Sequence, residues 1–335
     1  MKMLPKLRPA AFLFLLLLTA GCEMAVDVPA PKHTPRLALT YVLSNQTPDS
    51  QYWQSYPHRQ LTVSISQGVF NNAEVSQPAN ATVELLDASG QVVERFRGRY
   101  RYYNPFTQDS MGAYYEPLYG FAGQPGQRYT LRAALPGLPT AESTIALPAP
   151  AAMGAATFVR RQSTPNESQY FAAGHLTLSM PDAAASTDYY VATARVLDAQ
   201  GRFWGMLSND YQNEDPGSDV SVDRFLLSDG YSNRPNVYAD LNANGRTLTL
   251  TQNVQAYFSG NFNPGDPQNY REPAFIEVTV STLNREAYDF YQSVQRYQDS
   301  HDNPFAEPAP LASNIRNGYG LFGGATDTKV VIPIQ

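Results

Sequence analysis

The chain has 335 residues, 43% of them hydrophobic, with a formal net charge of −6. That length suits two domains with packed cores. The acidic balance excludes the cationic surface that releases counterions from nucleic-acid phosphates, and the single cysteine excludes a disulfide framework.

Lys2, Lys6 and Arg8 give a positive start, and residues 10–20 are almost wholly apolar around Leu15, Leu16, Leu17 and Leu18. The run is shorter than the roughly 20 residues a membrane-spanning helix needs. A basic head, an apolar run and small residues before a cleavage point make residues 1–21 an export signal. Thr19-Ala20-Gly21-Cys22 resembles the lipobox of bacterial lipoproteins. Thr19 departs from it, standing where a leucine is usual. The resemblance implies that Cys22 is acylated and becomes the mature N-terminus. More than one acyl chain there gives stable anchoring. Residues 22–35 carry Pro29, Pro31 and Pro35 and no periodicity, and read as an extended tether. Glu23 and Asp27 near the anchor resemble the acidic run of surface-exported lipoproteins, and that resemblance implies the cell surface rather than the periplasmic face.

With 22 Tyr, 26 Pro and 22 Gly, the rest reads as mainly β. Leu37, Leu39, Tyr41 and Leu43 alternate with other residues, as do Leu61, Val63 and Ile65, the period of half-buried strands. Residues 45–59 form a long polar and aromatic loop. Residues 81–86 and 91–96 flank Asp87-Ala88-Ser89-Gly90, a tight-turn composition. Six tyrosines follow: Tyr100, Tyr102, Tyr103, Tyr114, Tyr115 and Tyr119. Pro125-Gly126 then turns toward Tyr129 and Leu131, a pattern common in Ig-like sandwiches, where the tyrosine hydroxyl bonds backbone at a corner. Residues 141–147 are a closing strand, so 36–147 is expected to be one β-sandwich.

Residues 148–152 (Pro-Ala-Pro-Ala-Ala) read as a linker. The second expected sandwich, residues 153–335, has strands at 175–180, 188–197, 222–227, 246–250 and 275–283. Val196-Leu197-Asp198-Ala199-Gln200-Gly201 echoes Leu85-Leu86-Asp87-Ala88-Ser89-Gly90. Leu283, Ala287, Phe290, Tyr291, Val294 and Tyr297 share one face of a helix expected over residues 283–299. Asn284 or Thr282 caps it, and Glu286 suits its first turn. A Gly-rich loop and a last strand at 329–334 close the chain. The fold expected is therefore two Ig-like or transthyretin-like β-sandwiches in series, the second with one amphipathic helix.

The C-terminal third carries more specific words: Asp302-Asn303-Pro304-Phe305, Ser313-Asn314-Ile315 and Gly318-Tyr319-Gly320-Leu321-Phe322-Gly323. With the leader and the strand at 81–85, they resemble a family of Bacteroidota lipoproteins catalogued as domain of unknown function 4249. The resemblance covers nearly the whole mature chain. It implies an outer-membrane lipoprotein that assists a TonB-dependent nutrient-uptake receptor, and it supplies no catalytic residues.

Gly318, Gly320 and Gly323 match G-x-G-x-x-G, but a helix lies upstream and a strand follows, the reverse of a dinucleotide site. A glycine loop crossing close to its own core is the better account. Asp240, Asn242 and Asn244, with Gly245, match the first half of a Ca²⁺ loop. The twelfth position is Thr251 rather than a bidentate Glu. Asn244-Gly245 before Thr247 and Leu248 reads first as a hairpin turn. His33, His58, His175 and His301 fall in no metal-ligand spacing, and no nucleophile motif is present. No cofactor is expected. A hydrolase would need two acids converging in a cleft. The tyrosines Tyr102, Tyr103, Tyr114, Tyr115 and Tyr119 are the candidate aromatic surface for a glycan, peptide or protein partner. The ordinary account is that half of them alternate into the core. The leading expectation is a non-enzymatic accessory lipoprotein. The alternative is a surface adhesion or glycan-binding module.

Overall fold

The computed structural model describes residues 31–48, 56–69, 71, 73–104, 109–161, 171–213, 221–229, 235–259, 271–301 and 309–334. Cys22, most of the tether and the segment Asp302-Asn303-Pro304-Phe305 lie outside them. The protein is mainly β, with two sheets and one helix near the C-terminus.

The smaller sheet has β3 (Thr82–Leu86), β4 (Val92–Asn104), β5 (Asp109–Pro117), β6 (Arg128–Ala134) and β7 (Ala141–Ala146), in the order β5-β4-β3-β6-β7. The larger begins with β1 (Leu37–Ser44) and β2 (Thr62–Ile65). It continues through β8 (Ala156–Arg160), β9 (Phe171–Pro181), β10 (Tyr189–Asp198), β11 (Phe203–Asn209) and β12 (Val237–Ala239). Then come β13 (Thr247–Tyr257), β14 (Pro273–Leu283) and β15 (Tyr319–Pro333). Its order is β2-β1-β15-β14-β10-β11-β13-β9-β8, with β12 also on β10.

This pairing cuts across the expected serial split. The first strand runs parallel to the last, Ala38 opposite Tyr319 through Ser44 opposite Ala325. Residues 148–152 do not separate the sheets. Thr326 and Thr328 on β15 donate their hydroxyls to the carbonyls of Pro148 (2.6 Å) and Ala151 (3.1 Å). A parallel partner so distant in sequence leaves no local pattern, because each strand needs only a pleated, half-buried surface.

Two cores result, and β15 belongs to both. In one, Leu37, Leu39, Tyr41, Leu61, Val63 and Phe322 meet Val83, Leu85, Phe96, Tyr115 and Leu131 of the smaller sheet. In the other, the large sheet folds back on itself. β11 pairs with β10 through Phe203, Gly205 and Met206, and with β13 from Leu207 to Asn209. A strand that changes leaf is the usual corner of a sandwich. Leu176, Leu178, Leu248 and Leu250 on one leaf thus face Ala192, Val196, Val278 and Val280 on the other, around fully buried Trp204.

The helix α1 (Arg285–His301) starts two residues later than the periodicity implied. Its cap is as expected: the Asn284 carboxamide oxygen accepts the Ala287 amide at 3.3 Å. The same oxygen accepts the Gly324 amide, tying the helix start to β15. Ala287 and Tyr291 pack on Val42, Leu321 and Ala325, on a small third cluster.

The two echoing turns are built alike. Asp87 Oδ1 accepts the amides of Ser89 and Gln91, and Asp198 Oδ1 those of Gln200 and Arg202. Gly90 and Gly201 follow with φ of 83° and 73°. The Tyr129 hydroxyl accepts the Gln124 amide at 2.9 Å, the expected corner bond. Three local readings are corrected. Residues 222–227 form only isolated bridges, Arg224 to Thr249 and Leu227 to Ala192. Asn244-Gly245 does not close a hairpin, since β12 and β13 pair with different strands. The Gly-rich stretch is the start of β15 rather than a loop. A Cβ on Gly320 would lie 2.0 Å from the Leu39 carbonyl oxygen, so glycine is what lets β15 pass that close to β1.

Candidate functional site

The tyrosine stretch occupies β4 and β5, paired with Gly98 opposite Tyr115 and Arg99 opposite Tyr114. Strand alternation splits it. Tyr115 is fully buried, donates its hydroxyl to the Pro78 carbonyl and accepts the Ala81 amide. It is a core residue, not part of a binding surface. Tyr114 takes the other face, where its hydroxyl donates to Glu116 and Arg99 pairs with Glu116 at 3.0 Å. Tyr119 is 62% exposed. Tyr102 and Tyr103 sit on β4, and their side chains lie outside the described ones. Glu94, which sequence reading passed over, organises the turn beneath Tyr119. Its buried carboxylate accepts the amides of Leu118, Tyr119 and Phe121 at 2.8–2.9 Å.

A second polar centre is buried where residues 56–59 cross β14 and β15. Arg59 is 1% exposed and grips Asp327 with both terminal nitrogens, at 2.8 and 3.0 Å. Arg59 also donates to Ser281 at 2.7 Å, and its guanidinium lies 4.3 Å from the centre of the Tyr56 ring. His58 packs edge-on to Tyr56 and Tyr291, with Nδ1 buried and unpartnered. Burial, and then the Arg59 charge, push its imidazole down to about 3. His175 is satisfied by Asn253 and Thr251, and His33 reaches the Ser66 hydroxyl at 3.1 Å.

The third centre lies at one end of the folded-back sandwich. Asp182 follows β9, Asp188 precedes β10 and Asp240 follows β12. One carboxylate oxygen from each lies within 4.8 Å of the others. Asp240 is fully buried, and neither of its carboxylate oxygens has a hydrogen-bond partner. Burial is the main cause that pushes its pKa up to about 6, and the charges of Asp182 and Asp188 add to it. Of the residues the Ca²⁺-loop pattern suggested, only Asp240 enters this cluster. Asn242 and Asn244 are exposed, and Asn244 donates to the Ser186 carbonyl at 2.7 Å. Asp182 and Asp188 were not legible as partners, because they come from a loop more than 50 residues upstream.

Two grooves lie away from these acids. One, of about 510 Å³, is lined by Leu39, Phe290, Tyr297, Leu311 and Tyr319. The other, of about 430 Å³, is lined by His33, Gln67, Asn71 and Glu74. Among the described residues no helix is long and apolar enough to cross a membrane.

Two β-cores sharing one strand, with polar centres that brace loops, define a mainly β protein. The chain belongs to the family Domain of unknown function (DUF4249), whose model matches residues 55–330. No curated protein matches it. One solved structure, "Biofilm associated protein - BSP domain", aligns with 92% of this chain and 61% of its own. At 7% identity and a TM-score of 0.16, that likeness carries no argument.

Proposed function

We propose that this protein is a non-enzymatic lipoprotein of the outer membrane, anchored through Cys22, that serves as an accessory to a TonB-dependent nutrient-uptake receptor. The observation that carries the reading is the leader, with its basic head, short apolar run and Ala20-Gly21-Cys22. The first strand begins at Leu37, so a short proline-rich tether separates the anchor from the body. Fourteen residues reach at most about 50 Å when extended, which keeps the body beside the membrane and its receptors. The receptor link comes from the family resemblance.

The test is purification of the full protein from solubilised outer membrane. A TonB-dependent receptor as the major co-purifying protein supports the reading, as does release of Cys22→Ser into the soluble fraction. Retention of Cys22→Ser in the membrane, or recovery of wild type without a receptor, overturns it. A second reading, glycan binding, is favoured by one feature of the β4–β5 outer face. Tyr114 stands there beside Arg99 and Glu116, a ring flanked by charged hydrogen-bonding groups. Loss of glycan-array binding on Tyr114→Ala would select it.

A further inference from the structure

We propose that Asp182, Asp188 and Asp240 form a Ca²⁺ site that clamps the β9–β10 connection to the β12–β13 connection. Three observations lead there. The first is spacing. Oxygens bound to one Ca²⁺ at about 2.4 Å are at most about 4.8 Å apart, and the three carboxylates meet that limit. The second is the state of Asp240, fully buried with both oxygens unpartnered and set against the other two carboxylates. An ionised carboxylate is not left so in a protein interior unless a cation or a proton answers it. No described Arg or Lys pairs with any of the three. The third is that the flanking acids are already held in place. Asp182 accepts the Tyr190 hydroxyl at 2.7 Å and the Gly245 amide at 2.8 Å. Asp188 accepts the Ser186 hydroxyl at 2.8 Å. Such outer bonds orient carboxylates toward an ion.

The donor set is oxygen alone, which selects a hard cation over zinc. Mg²⁺ holds its ligands at about 2.0–2.1 Å and keeps most of its water, so the site favours Ca²⁺. The clamp joins the two leaves of the sandwich, because β9 lies on one leaf and β10 with β12 on the other. Asn244 and Gly245 serve the site indirectly, by bonding Ser186 and Asp182.

Thermal unfolding of the full-length protein tests this. About 10 mM Ca²⁺ should raise the wild-type Tm by about 5–10 °C over EDTA, and equal Mg²⁺ should do much less. Asp240→Asn should match or exceed wild type in EDTA, because a buried repulsion is gone, and should lose the Ca²⁺ increment. No Ca²⁺ increment in wild type, an equal one from Mg²⁺, or a full one in Asp240→Asn would overturn the proposal. If that variant does not fold, Tb³⁺ emission sensitised by Tyr190 in wild type replaces it. Emission that Ca²⁺ displaces, and that Asp188→Asn weakens, supports the site; emission that Ca²⁺ leaves unchanged overturns it.

Discussion

Arg59→Met removes the cation from the most deeply buried ion pair in the described chain. Asp327 would keep only the Gln46 carboxamide, which donates to Oδ2 at 2.6 Å. Its side chain is 0% exposed, so water cannot replace the lost guanidinium without opening the 56–59 turn. Breaking a buried pair from one side costs about 3–5 kcal/mol. The loss of stacking on Tyr56 adds to that. With a urea m-value of about 3 kcal/mol/M, the unfolding midpoint should fall by about 1–2 M. Asp327→Leu alone should cost a similar amount, since it strands Arg59. Arg59→Met with Asp327→Leu should recover most of the loss, because two apolar groups leave no orphaned charge. The assay is equilibrium urea unfolding of the four proteins as a double-mutant cycle. A single Arg59→Met within 1 kcal/mol of wild type would refute the reasoning, as would a double variant no better than the worse single one.

Tyr115→Ala should destabilise by about 3–5 kcal/mol and Tyr114→Ala by less than about 1 in the same urea assay, because only Tyr115 fills the core. His58 has a folded pKa of about 3, below the usual 6.5, so the stability it contributes is complete above pH 6.5 and is lost as pH falls toward 3. Between pH 7 and 5 that is up to about 2 kcal/mol, and His58→Gln should flatten the acid limb of Tm against pH. Asp240 acts with the opposite sign. Its raised pKa makes the metal-free protein gain stability as pH falls through about 6, so the comparison is cleanest in an Asp240→Asn background. Gly90→Ala, at φ 83° with open space, should cost about 1 kcal/mol. Gly320→Ala, at φ 101° with the Leu39 carbonyl in the way, should cost at least twice that by thermal unfolding.

Local chemistry was readable. The alternation of Leu37, Leu39, Tyr41 and Leu43 marked β1, the Asp87 and Asp198 turns bonded as their composition required, and Asn284 capped the helix it was expected to cap. Each depends on neighbours within a few residues. The tyrosines were readable as a class but not by side. Two adjacent rings, Tyr114 and Tyr115, point to opposite faces, and only pairing with Gly98 and packing over Pro78 chose which went inside. Asp240 was flagged by a motif whose Asn242 and Asn244 stay outside the acidic cluster, while Asp182 and Asp188, which join it there, stand on another loop.

By itself, then, the sequence determined the β-rich class, the family, the Asp87 and Asp198 turns and the helix, all properties of composition or of short windows. The tertiary structure decided what meets across long separations. It set β1 beside β15, threaded one strand through both cores, placed Arg59 on Asp327 and gathered Asp182, Asp188 and Asp240 at one end of the sandwich. The physical reason is that strand pairing and buried charge compensation are satisfied by any suitable partner in space. Which partner is chosen emerges only when the whole chain has packed.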